Sequence, residues 1–337
     1  MAATIRDVAK EANVSVRTAT RVINNKPNVR QETRQLVHEA IVRLGWRPNA
    51  HARHLVRGKT EHLGVILPDS RNTVFSDIAA AIETQAATHG YDCLFLHSEG
   101  LAEREAKFLN LALDGTVDGL IVMPHFIEAN HAIYKRLIEN QIPLVFRGGP
   151  EILEVVDLVT VDLRKAGYLA TRHLLNLGHK HVGLILHEVA LRRKNGRLAG
   201  YQDAHNEKDV PINPNYFTFC GYRLEEGYQA VRRLLEMQPQ VTALFCHNDL
   251  TALAALHAAR EMGRDVPNDL AIVGYDNIEM CRYCDVPLTT IDFNKELLGQ
   301  LLVDMFFRRM QNPEHQTQRV VLTPQLIIRK SCGYETR

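Results

Sequence analysis

Past Gly58-Lys59-Thr60 the chain settles into short apolar runs alternating with amphipathic helical stretches, and nothing else in the sequence restricts its fold as strongly. The runs are Leu63 to Leu67, Cys93 to Leu96, Gly119 to Met123, Leu144 to Phe146, Val182 to Leu186, Phe217 to Phe219, Ala243 to Cys246 and Leu270 to Gly274. Strands that alternate with helices pair in parallel and need both faces covered, which predicts an α/β body of parallel sheets covered by helices. A break near Val161-Asp162, with a late return at Leu288-Thr289-Thr290 and Leu322 to Ile328, divides the body into two lobes with crossing connections. Ligands in this architecture sit at the C-terminal ends of strands, in the cleft between lobes.

The first sixty residues follow a different period. Ile5, Val8, Ala9 and Ala12 fall at i, i+3, i+4, i+7, one face of a short helix. Asn13, which tolerates left-handed backbone, breaks it. Ser15 is placed to cap a second helix whose Ala19, Val22 and Ile23 face inward while Val16, Arg17, Thr20 and Arg21 point away. A third helix runs from about Gln31 to Leu44, with Leu36, Val37, Ala40, Ile41 and Leu44 inward and Gly45 as its stop. The result is a small all-α head with helix-turn-helix spacing. Charge separates the two parts further. Residues 1 to 60 hold 12 Lys and Arg against 4 Asp and Glu, a net +8, whereas the rest holds 28 against 35, a net −7, so the overall +1 conceals a basic head on an acidic body. That is the footprint of a polyanion-binding module joined to a part that binds something else.

Several function classes fall away. A composition 45% hydrophobic and 23% charged excludes disordered, collagenous and coiled-coil chains. No P-loop, GxGxxG after the first strand, GxSxG elbow or HExxH occurs, which argues against an enzyme. Cys93, Cys220, Cys246, Cys281, Cys284 and Cys332 are scattered, and the one CxxC has no second pair, so reduced thiols are expected and neither a metal nor a cofactor. His179 and His181, near the end of a helical stretch, read as structural. Thr4-Ile5-Arg6-Asp7 carries charge where a signal peptide needs an apolar run, and no stretch approaches the roughly 18 apolar residues of a membrane span, so a cytoplasmic location is expected.

Ile5-Arg6-Asp7-Val8-Ala9-Lys10-Glu11-Ala12, Val14-Ser15, Thr18, Arg21-Val22-Ile23-Asn24 and Leu44-Gly45-Trp46-Arg47-Pro48-Asn49-Ala50, with Ala52-Arg53 and Leu55, closely resemble the DNA-binding head and hinge of the lactose repressor/galactose repressor family. The resemblance runs on through Gly64-Val65-Ile66-Leu67-Pro68-Asp69, Asp162 with Gly167-Tyr168, Leu177-Gly178-His179, Arg197 with Gly200-Tyr201, Asn248-Asp249, Val266-Pro267-Asn268-Asp269, Gly274-Tyr275-Asp276 and Pro287-Leu288-Thr289-Thr290. It implies a head over 1–46, a hinge and linker over 47–60 and a two-lobed, periplasmic-binding-protein-like effector-binding and dimerisation body over 61–337. A homodimer would then set two heads in successive major grooves of a double-stranded, pseudopalindromic operator. No leucine heptads follow the last strand, so a dimer is the expected state.

In that frame Val16, Arg17 and Arg21 would read base edges, Thr18 a base or phosphate, and Ser15, Thr20, Asn24 and Arg34 phosphates, with Thr4 at the start of the first helix also near the duplex. The hinge would order on DNA, with Leu55 as a minor-groove wedge and Asn49, Ala52 and Arg53 lining the groove. Departures are Asn13 for the usual turn glycine, Ala19-Thr20 for Val-Ser, and Arg30 for the usual serine cap of the third helix.

The resemblance places an effector pocket at Asp69, Phe75, Arg197, Tyr222, Asn248, Asp249 and Asp276, a set suited to a carbohydrate: Asp, Asn and Arg for hydroxyls, an aromatic plate for a ring face. Beyond the family pattern, Arg71 follows the first body strand and Arg147 ends the Leu144-Val145-Phe146 strand. With Arg197 they would offer three guanidiniums to a sugar acid or sugar phosphate rather than a neutral sugar. The alternative is that Arg71 or Arg147 pairs with a nearby Asp or Glu. Rival functions on the same body are a transport-type sugar-binding protein, which would lack the basic head, and a carbohydrate-acting enzyme.

Overall fold

The computed structural model describes residues 3–23, 26–46, 59–69, 71–149, 155–187, 196–221 and 223–333, which belong to two compact units, Met1–Thr60 and Glu61–Arg337. In the first unit α1 (Ile5–Glu11), α2 (Val16–Ile23) and α3 (Gln31–Leu44) enclose Val8, Ala9, Ala12, Ala19, Val22, Val37 and Ala40. Thr4 opens α1 with a reciprocal cap: its hydroxyl oxygen accepts from the Asp7 amide at 3.4 Å, and the Asp7 carboxylate accepts from the Thr4 amide at 2.7 Å. Asn13 takes φ 52°, the left-handed turn its side chain allows. Ser15 caps α2 by accepting from the Thr18 amide at 3.1 Å. Gly45, at φ 58°, closes α3, and the amides of Gly45 and Trp46 donate to Val42 and Ile41.

The third helix has no such start. Arg30 stands at its N-cap with no side-chain capping bond, leaving its first amides without the usual acceptor. Arg30→Ser is therefore expected to stabilise the head by about 0.5–2 kcal/mol. Trp46, the one tryptophan of the chain, packs on the head core, so its fluorescence isolates this transition. An unchanged or lower midpoint would refute the missing cap.

Among the described residues the body comprises two six-stranded sheets. The first lobe contains β1 (His62–Leu67), α4 (Thr73–Thr88), β2 (Asp92–His97), α5 (Ala102–Leu113), β3 (Leu120–Val122), α6 (His131–Glu139), β4 (Leu144–Arg147) and β5 (Asp157–Val161). The second contains α7 (Leu163–Asn176), β6 (Val182–His187), α8 (Arg197–Glu207), β7 (Phe217–Cys220), α9 (Leu224–Met237), β8 (Ala243–Cys246), α10 (Asp249–Glu261), β9 (Ala271–Tyr275) and β10 (Thr289–Asp292). Then α11 (Lys295–Gln311) and β11 (Arg319–Leu322) return to the first lobe, and β12 (Gln325–Ile327) to the second. Strand orders are β11-β5-β4-β3-β1-β2 and β12-β10-β9-β8-β6-β7, parallel throughout except for β12 against β10. The central strands are apolar along nearly their whole length because helices cover both faces.

The alternation read from sequence is thus present, with two corrections. The break near Val161-Asp162 is the first crossing between lobes, but the strand that precedes it, β5, was not expected. Leu322 to Ile328 is not one returning segment but parts of two strands in different sheets, divided by Thr323-Pro324. The chain crosses between lobes three times, at Asp162, at Phe293-Asn294 and at Thr323-Pro324. Asp162 and Asn294 also cap the helices that follow, accepting from the amides of Lys165 at 2.8 Å and Leu297 at 3.0 Å.

Candidate effector cleft and nucleic-acid interface

Between the lobes, strand ends and helix starts converge on a cleft lined by Phe75, Arg147, Arg197, Asn248, Asp276 and, unanticipated from sequence, His125, His187, His247 and Tyr275. Arg147 is the last residue of β4 and Arg197 the first of α8. The start of α8 is set by a close helix crossing. A Cβ at Gly167 of α7 would stand 2.1 Å from the Arg197 carbonyl oxygen, and one at Gly200 of α8 only 1.9 Å from that of Arg164. Only glycine permits this approach. The Arg197 guanidinium then lies 3.8 Å over the Tyr275 ring, which stacks at 5.6 Å on Phe293, itself under the Arg147 guanidinium at 5.5 Å. Cation–π contact orients both arginines, and Arg147 Nε and Arg197 Nε keep no protein partner.

Asp276 sits at φ 119°, its backbone oxygen accepting from Lys295 Nζ at 2.7 Å. It is buried, and burial together with the neighbouring Asp249 carboxylate pushes its carboxyl up to about 8, although Arg197, Arg147 and Lys295 pull the other way. Asn248 caps α10 by accepting from the Thr251 amide at 2.8 Å. On the first-lobe side, the buried Glu105 carboxylate accepts from the His125 amide at 3.1 Å, from Asn130 Nδ2 at 3.1 Å and from the Tyr134 hydroxyl at 3.0 Å, fixing the loop that carries His125.

Other expected pocket residues stand elsewhere. Asp69 and Arg71 bind each other, Arg71 donating from its amide at 2.9 Å, Nε at 2.8 Å and Nη2 at 2.9 Å, so the paired alternative holds for Arg71 and the three-guanidinium lining reduces to two. Asp249 is fully buried beneath the wall. It accepts from the Thr290 hydroxyl at 2.5 Å and the Ile278 amide at 2.9 Å, bonds that use its carboxylate to join α10 to the β9 loop and β10. Tyr222 lies outside the described residues. His179 and His181 bond Thr242 at 3.0 Å and the Tyr216 hydroxyl at 2.9 Å, as structural residues would. Among the described residues no group of side chains is arranged to hold a metal ion, and no helix is long and apolar enough to cross a membrane.

In the head, Val16 and Arg17 project from α2 into solvent. Thr18 shares its hydroxyl with Ser15 at 2.9 Å, Thr20 donates to the Val16 carbonyl at 2.8 Å, and Arg21 donates to the Pro27 carbonyl at 3.1 Å. Arg34 binds the Lys26 carbonyl at 2.5 Å and the Val29 carbonyl at 3.4 Å, bracing the loop before α3 rather than pointing away from it. Asn24, Asn49, Ala52, Arg53 and Leu55 lie outside the described residues.

Over residues 4–49 the chain matches the family described as bacterial regulatory proteins, lacI family, and over 171–332 a periplasmic binding protein-like domain. It is 34% identical over 333 residues to the HTH-type transcriptional repressor PurR of Klebsiella pneumoniae, covering 98% of this chain and 97% of that one. This chain belongs to the lacI family. It is similar also to PurR of Haemophilus influenzae, at 35% over 335 residues with 98% of each chain covered. Among solved structures, the lac repressor dimer bound to operator and the anti-inducer ONPF superposes with a TM-score of 0.83 at 27% identity, covering 98% of this chain and 99% of that one. A complex of the transcriptional regulator CelR with cellobiose gives 0.72 at 26%, with the same coverage. As a lacI-family protein, the chain is a DNA-binding transcriptional repressor with a small-molecule-binding body.

Proposed function

We propose that the protein is a homodimeric repressor whose hold on a pseudopalindromic operator is set by a small acidic carbohydrate, a sugar acid or sugar phosphate, bound between the lobes of the body. One observation carries the ligand reading: Arg147 Nε, Arg197 Nε and His247 Nε2 are buried, have no hydrogen-bond partner and belong to the lining of one cleft. A buried donor without a partner costs about 1–3 kcal/mol, which a ligand accepting from it recovers. Two guanidiniums favour an anionic group. The division into head 1–46, hinge 47–60 and body 61–337, and the dimer, draw support from the similarity to the operator-bound lac repressor dimer. Effector and operator are then linked through lobe closure, and each changes the other's affinity by the same factor.

Thermal denaturation of the full chain against neutral sugars, sugar acids, sugar phosphates and purines tests the ligand class, since a ligand that binds only the folded state raises the melting temperature. The acidic compounds should stabilise, and Arg147→Leu should abolish the shift. Stabilisation by neutral sugars or purines alone, or an undiminished shift in Arg147→Leu, would replace this reading. On the DNA side Arg17→Ala should weaken operator binding by about 1–3 kcal/mol and relax preference at one base pair, measured by titration at fixed salt. A uniform loss across all sequences would reassign Arg17 to a phosphate.

A further inference from the structure

The cleft wall formed by the second sheet is chemically graded. β6, β8 and β9 are neighbours, with Ile185 opposite Cys246 and Phe245 opposite Val273, so their ends lie side by side. His187 ends β6, His247 follows β8, and Tyr275 with Asp276 ends and follows β9. At the β9 end stand Asp276, Tyr275 and the two guanidiniums. At the β8 and β6 ends stand two imidazoles, their ring centroids 6.0 Å apart.

Those imidazoles are uncharged. Burial holds His247 well below the ordinary histidine range and His187 down to about 4, with Arg197 opposing a positive charge on both and His125 on His187. Glu226, at the start of α9, adds a negative field on His187. His247 Nδ1 lies 3.3 Å from the Thr251 hydroxyl and 3.7 Å from the Cys220 thiol. Burial pushes that thiol up to about 11, so it keeps its proton and is able to donate to the ring nitrogen. If both groups donate to Nδ1 the ring proton lies on Nε2, the atom that has no protein partner.

We propose that the effector is a hydroxylated monoacid lying across this wall, its acid group at the Arg147 and Arg197 end and its uncharged oxygens on His247 and His187. The inference rests on the acidic-effector reading above and narrows it. A second acid group at the far end would meet neutral imidazoles and the Glu226 carboxylate, with Arg197 already engaged. A dicarboxylate of the same length is therefore rejected.

The test uses the full chain. Calorimetric titration with gluconate, galactonate, glucuronate and galacturonate is compared with glucarate and galactarate, which carry an acid at both ends. A monoacid should bind at least tenfold more tightly than its diacid, His247→Gln, which keeps a donor near the Nε2 position, should stay within threefold, and His247→Leu should lose at least tenfold. Nitrogen-15 spectra of the histidine rings, taken without ligand, should show His247 neutral with its proton on Nε2 from pH 5.5 to 8.5. Diacids binding as well as monoacids, or a His247 that titrates in that range or carries its proton on Nδ1, would overturn the inference and leave the acidic reading standing. Binding of glucose but no acid, or no response to the six acids or to glucose 6-phosphate, would overturn both.

Discussion

A Gly167→Ala variant should bind operator normally yet respond to effector at least tenfold more weakly. The added methyl group would meet the Arg197 carbonyl oxygen at 2.1 Å and its Cα at 2.8 Å, atoms of backbone that cannot rotate aside. α8 must then move, and Arg197 moves with it. Binding groups work only within about 0.5 Å of their productive position, so the loss falls on the cleft before it falls on the fold. Overpacking also costs about 1–3 kcal/mol of body stability. Operator titration with and without the best ligand of the panel separates the two effects, and an effector response within twofold of the unmodified chain would mean that Arg197 is not a contact.

The second large effect concerns Asp276. Its carboxyl titrates near 8 in the folded chain and near the ordinary aspartate value when unfolded, so the folded state holds a proton that the unfolded state releases. Stability from this group is full below about 4, falls as pH rises toward 8 and is level above. Asp276→Asn removes that loss and should raise the stability of the ligand-free chain at pH 7 by on the order of 2–4 kcal/mol, the gain fading below pH ~4. Ligand binding reports the same proton with a sign that depends on the ligand. A bound acid beside Asp276 favours the protonated form, so its affinity should fall by up to about tenfold per unit as pH climbs past 8. A neutral sugar donating hydroxyls to the ionised carboxylate would gain affinity over the same window. The charged groups that act on Asp276 are Asp249, Arg197, Arg147 and Lys295, and Asp276→Asn should flatten either profile.

Much of the fold was legible because parallel strands buried on both faces are unbroken apolar runs, as at Leu63 to Leu67 and Ala271 to Tyr275. β5 escaped because it begins with Asp157, whose carboxylate accepts from Arg309 Nε at 2.9 Å and the Gln318 amide at 2.7 Å; partners so distant in sequence leave no local signature. In the cleft, Arg147 stood out as a charge at the end of an apolar strand, and Arg197 came from the family resemblance. Arg71 looked equivalent, but at two residues from Asp69 it turns back onto that carboxylate, a geometry that spacing alone leaves open. His187 and His247 each follow an apolar strand as many structural histidines do. Only the pairing of β6 with β8 sets them side by side.

The threefold passage between lobes has a consequence for how the protein is made. The first sheet has its edge strand β11 and its covering helix α11 encoded after nearly the whole second lobe. During synthesis, residues 62–161 therefore leave the ribosome with one face covered by α4 over β1 and β2 but bare over β3, β4 and β5, and that part stays bare until residues past 311 emerge. A nascent chain in that condition is a client for chaperones, and a message truncated before codon 295 yields a product with neither lobe complete, prone to aggregate rather than to compete for operator.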